Sequence, residues 1–395
     1  MNRMLNILSG EMGRKASSDP TGRRCSVIGG GVVGLSVALH LLESGVDATV
    51  FERAGVGAGA SGVQPGGVRQ QWGTRANCLM ARESSAFYSD FPSRYETVAR
   101  ARLERCGYVF LATEDRSLTQ FQKNLVVQHE AGVPSQLLEP DEAAALIPSL
   151  NTDLVVGAAY CAEDGYFDRP QAVVEAFAEI VARQGGRIEI TGVRRISRNG
   201  SSWTLNLEDG TSYNTDAVVV AAGSDSVSLL SPLGHDLPIV QEARYLFYSE
   251  HIQERLIEPL AIAVDLGFAA KHLADGRVLA SDLHAAGEPD IDQGHWRRRI
   301  RDVVVDLLPV LEYVPLPIIA PGYYDMTPDG RPIVDMLDDG LWVAAGFSGH
   351  GFMVAPVVGA MIAKAFRGEE CPPWTESVSA SRFAAPISET EAQVI

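Results

Sequence analysis

The chain has 395 residues, 46% apolar and 21% charged, a balance that excludes a disordered protein and is long enough for two domains rather than one core. Its 50 acidic and 33 basic side chains leave a formal charge of −17, which repels nucleic acid and anionic lipid and sets both aside as partners. The five cysteines, Cys25, Cys78, Cys106, Cys161 and Cys371, are odd in number and widely spaced, so neither a metal site nor a redox pair is expected and a reduced, cytoplasmic setting fits.

In chain order, residues 1–22 are polar and turn-rich after an apolar patch at 4–8, and are expected to form a mobile extension. An organellar transit peptide is the alternative, against which Glu11 and Asp19 count. No apolar run reaches the length of a membrane span. Residues 24–28 form a short apolar run entering a glycine loop; Leu35, Leu39 and Leu42 then recur at helical spacing until Gly45. A second strand, 48–51, is closed by Glu52, which completes a βαβ unit. A helix is expected over 82–105, a strand over 108–113, then a polar helix. Further along, 172–184 reads as a helix and 187–196, 203–207 and 216–222 as strands, the last ending at Ala222 and Gly223 as a buried strand meeting a ligand does. From 225 to 319 strand-like pieces alternate with loops and one basic helix, 295–308. The segment 322–368 is compact and glycine-rich, with a helix over 352–366 whose Gly359, Ala360 and Ala363 offer a small packing face. Residues after Cys371 are rich in Pro, Ser and acid and are expected to form a peripheral tail.

Gly29, Gly31 and Gly34 have GxGxxG spacing between a strand and a helix. The first permits a tight turn, the second lets the backbone approach a pyrophosphate, and the third lets helix pack on strand. Val32 and Val33 open that helix, whose N-terminus faces the phosphates with its partial positive charge. Glu52, followed by Arg53, stands where a carboxylate accepts ribose hydroxyls. NAD and FAD share this fingerprint.

Three further stretches carry a resemblance: Gly57-Ala58-Gly59-Ala60-Ser61-Gly62, then Gly322 to Pro332 with its Thr327-Pro328-Asp329-Gly330, and Gly346-Phe347-Ser348-Gly349-His350-Gly351-Phe352. Together with the fingerprint, these resemble the family of FAD-dependent amine and amino-acid oxidoreductases that includes sarcosine, dimethylglycine, glycine and D-amino-acid oxidases. The resemblance implies an α/β fold class: a Rossmann-type FAD-binding domain assembled from discontinuous segments, 23–95, 151–225 and 321–370, with an inserted α+β substrate domain, 96–150 and 226–320, built on a mixed sheet, and a tail over 371–395. It implies FAD contacts at Gly29, Gly31, Val32, Val33, Gly34, Glu52, Arg53, Ala60, Ser61, Gly67, Val193, Ala222 and Gly223, and around the flavin at Gly346, Gly349, His350, Gly351, Phe352 and Met353.

Relatives that attach the flavin covalently do so through a His after the second loop or a Cys on the later strand. Val63 or Gln64, and Gly322, stand at those places, which implies noncovalent FAD. Tyr324 stands where some relatives carry a carboxylate-binding Arg, and Met353 where others carry a Lys. Arg69 matches an Arg that faces the substrate carboxylate; a surface position or a contact to the flavin phosphates are the alternatives. Arg244 resembles a second position near the site. His350 orders its loop or acts as acid or base. Lys271 is expected to be a solvated strand lysine, with promotion of oxygen reactivity as the alternative. The implied reaction oxidises the C–N bond of a small amine or amino acid, secondary, N-methyl or cyclic. Hydride passes to flavin N5, the imine hydrolyses, and electrons go on to O2 or another acceptor. A 2-hydroxy-acid dehydrogenase using His350, or an FAD-bound subunit or assembly factor serving a partner subunit, are the other readings.

Overall fold

The computed structural model describes residues 22–285, 289–387, 389–391 and 393. The extension expected at 1–22 lies outside the described residues apart from Gly22. A six-stranded sheet forms the first layer, in the order Ile333–Asp338, Leu341–Ala345, Ala217–Val220, Arg24–Ile28, Asp47–Phe51 and Arg187–Glu189. Its strands run parallel except Ile333–Asp338; Val27 lies beside Val219 on one side and Val50 on the other. Because both faces are covered, these strands are runs of Val, Ile and Ala rather than alternating patterns. Helices Val32–Glu43 and Gly351–Phe366 pack on one face. They approach closely at Gly359, where an added Cβ would lie 2.6 Å from the carbonyl oxygen of Ser36, and Ser36 Oγ donates to the Ala355 carbonyl at 2.8 Å. The other face is covered by an antiparallel ribbon, Val193–Asn199, Ser202–Leu207 and Ser212–Thr215, through Ile196, Trp203 and Leu205.

The second layer is an eight-stranded mixed sheet in the order Ile318–Met326, Val240–Tyr248, Val278–Asp282, Phe268–His272, Leu260–Ala263, Tyr108–Ala112, Gly157–Cys161 and Gln136–Leu138. Only the Leu260–Ala263 and Tyr108–Ala112 pair is parallel. Helix Pro289–Leu307 buries Trp296, Ile300 and Val304 against it, with Trp296 stacked 4.2 Å from Tyr245. Gly157–Cys161 thus belongs to this sheet although 151–225 was expected with the nucleotide-binding part, because the strand pairs along its whole length with Tyr108–Ala112.

The helix expected at 82–105 spans Arg75–Arg94: Thr74 enters it in an extended conformation and Tyr95 leaves it likewise. The strand expected at 187–196 is two strands, Arg187–Glu189 and Val193–Asn199, which belong to different sheets. The tail is not peripheral throughout, since Trp374, Val378, Glu391 and Gln393 are buried. No described helix is long and apolar enough to cross a membrane.

Candidate active site

A cleft runs along the ends of the parallel strands. At one end Glu52 Oε2 accepts the Gly30 N–H at 2.7 Å and Oε1 accepts the Ala54 N–H at 2.9 Å. Arg53 lines the same end and pairs with Asp225 at 2.7 Å. Gly29 has φ +113°, a conformation that side-chain-bearing residues rarely adopt, and a Cβ there would also strike the Ala221 carbonyl. A Cβ at Gly31 would stand 3.1 Å from Ser61 Oγ, which accepts the Val32 N–H at 3.0 Å and so joins the two glycine loops. Val33, Ala60, Gly67, Val193, Ala222, Gly223, Gly351 and Phe352 also line the cleft, and Gly349 and Met353 line its far end, where it meets a second cavity. Gly34 and Gly346 do not line it. A Cβ on Gly34 would collide with the Gly29 carbonyl, so that glycine seats the helix on the strand. Gly346 donates its N–H to Asp325 Oδ2 at 2.7 Å and shapes the loop from behind.

Two helix N-termini meet this cleft, those of Val32–Glu43 and Gly351–Phe366. The second contains Pro356, which has no N–H to offer the carbonyl one turn back. That carbonyl, on Phe352, instead accepts the hydroxyl of Tyr88 at 2.6 Å. An elongated cleft lined by glycines at its narrow points and flanked by two helix N-termini fits an extended dinucleotide such as FAD.

Beyond the far end lies a small cavity that shares Pro65, Tyr324, Gly349 and Met353 with the cleft. Leu246, Leu260, Ile262, Leu279 and Leu283 give it apolar walls; Arg69, Tyr108, Lys271, Ser281, Tyr324 and His350 supply the polar groups. Arg69 is completely buried, with its guanidinium 3.6 Å over the Trp72 ring. Nη1 donates to the Gln71 carbonyl and, at 3.4 Å, to Gln393 Oε1, while Nη2 donates to the Gln393 carbonyl. Burial lowers its pKa, opposed by Tyr108, Glu391 and Asp164, and an arginine so placed stays a cation. Asp164 accepts the Gln70 N–H at 2.8 Å and Gln71 Nε2 at 3.1 Å, and burial pushes its carboxyl up to about 6.

His350 is buried edge-on to Trp72, ring centroids 4.4 Å apart with planes at 88°. Burial, with Arg69 nearby, pushes its pKa well below the ordinary value, so the ring is neutral, and Nε2 has no hydrogen-bond partner among the described residues. Lys271, expected in solvent, is instead buried: its strand occupies the middle of the eight-stranded sheet, and its side chain reaches the cavity with the ammonium 4.0 Å over Tyr166. Burial draws its pKa down to about 7. Arg244, expected at the site, does not line the cavity. An ion pair with Glu242 at 2.8 Å and a bond to the Ala243 carbonyl hold it, its Nε is buried with no partner among the described residues, and its guanidinium lies 5.3 Å from the centre of the Tyr324 ring. Tyr108, Ser281 and Asp164 escaped the sequence reading. Tyr108 and Ser281 lie within apolar strands, and Asp164 in a turn where acids are common, so nothing local marks them.

A Rossmann-type sheet with a glycine-lined cleft, opening onto a mostly apolar cavity beneath a second mixed sheet, defines a two-domain flavoenzyme. The chain belongs to the FAD dependent oxidoreductase family, whose model matches residues 24–365, and the protein is an FAD-dependent oxidoreductase, as the resemblance implied. It is 28% identical over 390 residues to FAD-dependent oxidoreductase domain-containing protein 1 of Xenopus laevis, across 86% of this chain and 78% of that one. It is 27% identical to 4-methylaminobutanoate oxidase (formaldehyde-forming) of Paenarthrobacter nicotinovorans, across 92% of this chain but 46% of that enzyme. The solved structure of L-proline dehydrogenase from P. horikoshii matches with a TM-score of 0.85 at 26% identity, across 92% of this chain and 98% of that one.

Proposed function

We propose that the protein oxidises the C–N bond of a small secondary amine that carries a carboxylate, an N-methyl or cyclic amino acid. One observation carries this reading. A buried arginine, Arg69, lines a mostly apolar cavity, together with the buried Lys271, and that cavity adjoins the flavin end of the cofactor cleft. Two of the relatives are named for an N-methylated amino acid and for proline, both secondary amines, which supports the same class.

FAD is held without a covalent link, with Glu52 at the ribose, Gly31, Val32, Val33 and Ser61 at the pyrophosphate, and Gly349 to Met353 beside the isoalloxazine. Val63, Gln64 and Gly322 offer no attachment atom, and among the described residues no cysteine lines the cleft. The bound cofactor supplies the hydride acceptor. Arg69 anchors the carboxylate, the leucine-rich walls exclude water, and Tyr324 and Met353 hold the substrate at the boundary between cavity and cleft. The substrate carbon loses a hydride and its nitrogen a proton, and water hydrolyses the imine to a carbonyl compound and an amine. Electrons pass on to O2 or another acceptor, and a partner subunit remains compatible with this reading. The free cysteines support a reduced, cytoplasmic setting. Anaerobic mixing with N-methyl, cyclic and primary amino acids tests the proposal: bleaching of the flavin absorption by the first two classes supports it, and bleaching by none of them sinks it.

One observation favours a second reading. His350 lines the cavity with Nε2 unpartnered among the described residues, a place from which it could take the proton that oxidation of a 2-hydroxy acid releases and oxidation of a neutral amine does not, while its lowered pKa makes it a weak base. His350→Gln separates the two, because full amine turnover in that variant removes the need for a base there.

A further inference from the structure

Residues 389–391 and 393 do more than lie on the surface. Glu391 is buried, and its carboxylate accepts Gly73 N–H at 2.7 Å, Thr74 N–H at 3.1 Å, Thr74 Oγ1 at 2.9 Å and Asn77 Nδ2 at 2.9 Å. These donors open helix Arg75–Arg94, whose own N-cap, Thr74, makes no side-chain capping bond. A distant carboxylate thus fixes the residues that lead into the helix, and its charge suits the positive end of the helix dipole. The Glu391 N–H is fixed on the Asp329 carbonyl at 2.9 Å, and Glu389 pairs with Arg331 at 3.1 Å.

So anchored, the segment presents both oxygens of Gln393 to Arg69, and the Gln393 N–H returns to Glu391 Oε1 at 3.0 Å. Those bonds, with the Gln71 carbonyl, engage Nη1 and one hydrogen of Nη2. They leave Nε, which is buried and has no partner among the described residues, beside the second hydrogen of Nη2. Nε–H and Nη2–H are the parallel pair through which an arginine grips a carboxylate from the side. An orphaned buried donor on a cavity-lining cation calls for a partner, and a ligand's carboxylate would supply one.

We propose that Glu391 and Gln393 are positioning residues of a carboxy-terminal strap, which holds the Arg69 guanidinium so that its Nε edge receives the carboxylate of a substrate. The strap sets specificity for acids without touching the substrate, and it rests on the reading of Arg69 as the carboxylate anchor. Two variants release it differently. Glu391→Ala removes the anchor. Asn77→Asp sets a second carboxylate against Glu391 while keeping an acidic residue favourable to the first turn of the helix.

The experiment measures the Kd of acetate for the FAD-loaded protein, by its perturbation of the visible flavin spectrum. It compares wild type, Arg69→Ala, Glu391→Ala, Asn77→Asp and the double variant Arg69→Ala/Glu391→Ala. Release of the strap is confirmed by protease cleavage near residue 389. Expected are losses on the order of tenfold or more for each strap variant, the scale of a weakened charge-assisted bond. The double variant then binds acetate no more weakly than Arg69→Ala alone, because both act on one interaction. Wild-type acetate binding in released strap variants, or losses that add to that of Arg69→Ala, overturns the strap while the Arg69 anchor stands. Unchanged binding in Arg69→Ala overturns the anchor, and the strap with it.

Discussion

The Glu52 carboxylate accepts the Gly30 backbone N–H at 2.7 Å, so the residue placed for the ribose also clamps the phosphate loop to the end of the second strand. Glu52→Gln replaces one acceptor oxygen by an amide donor and removes the charge. It is expected to weaken FAD binding by about 1.5–3 kcal/mol, the range for hydrogen bonds to a charged group. The visible flavin spectrum should barely move, because the isoalloxazine is proposed to lie at the far end of the cleft. Equilibrium dialysis of FAD, with spectra of the saturated variant, checks both halves; a strongly altered spectrum with unaltered affinity contradicts the placement of Glu52.

Lys271 gives stability a pH dependence of definite sign. Its pKa falls from an ordinary 10.5 to about 7 on folding, so between those values the unfolded chain binds more protons and this residue makes stability rise with pH. Below about 7 the ammonium is charged in both states and its burial cost is present in full. Lys271→Met removes that cost, so its gain in melting temperature should be largest near about pH 6 and shrink steadily toward about pH 10. Calorimetry of both proteins across that range measures it, and a gain that is flat or grows with pH contradicts a buried amine.

Arg69→Ala should raise KM for a carboxylate-bearing substrate by on the order of 10- to 100-fold, the loss of one charge-assisted pair, with FAD content unchanged. Arg69→Lys should recover only part of this, since a point charge does not reproduce the fork. Steady-state kinetics beside the ratio of flavin to protein absorbance decide the matter. Loss of FAD from Arg69→Ala would assign the residue to the cofactor and shift weight to an uncharged amine.

The cofactor half of the site is legible in the sequence because its physics is local. Gly29, Gly31 and Gly34 act within one turn, and Glu52 follows at the end of the next strand. The substrate half is less legible because it is assembled across the sheet: Tyr108, Lys271, Ser281 and Tyr324 come from four strands, and only register and burial bring them to one cavity. Lys271 reads as solvated because nothing around it reveals that its strand is interior. Arg244 reads as a site residue because its position matches, but its ion pair with Glu242 turns it to other work. The acidic composition after Cys371 suggests a solvated tail, and the donors that make Glu391 welcome inside lie at 73–77, far away in sequence.

The proposed C–N oxidation takes place at the boundary between cavity and cleft. The most direct test mixes the oxidised protein anaerobically, in a stopped-flow spectrometer, with proline and N-methylglycine and separately with the hydroxy acids lactate and glycolate. Rapid bleaching of the flavin by at least one of the two amino acids, with an equivalent of imine-derived carbonyl product and no bleaching by the hydroxy acids, is the predicted result. Bleaching by lactate or glycolate while both amino acids leave the flavin oxidised would contradict it.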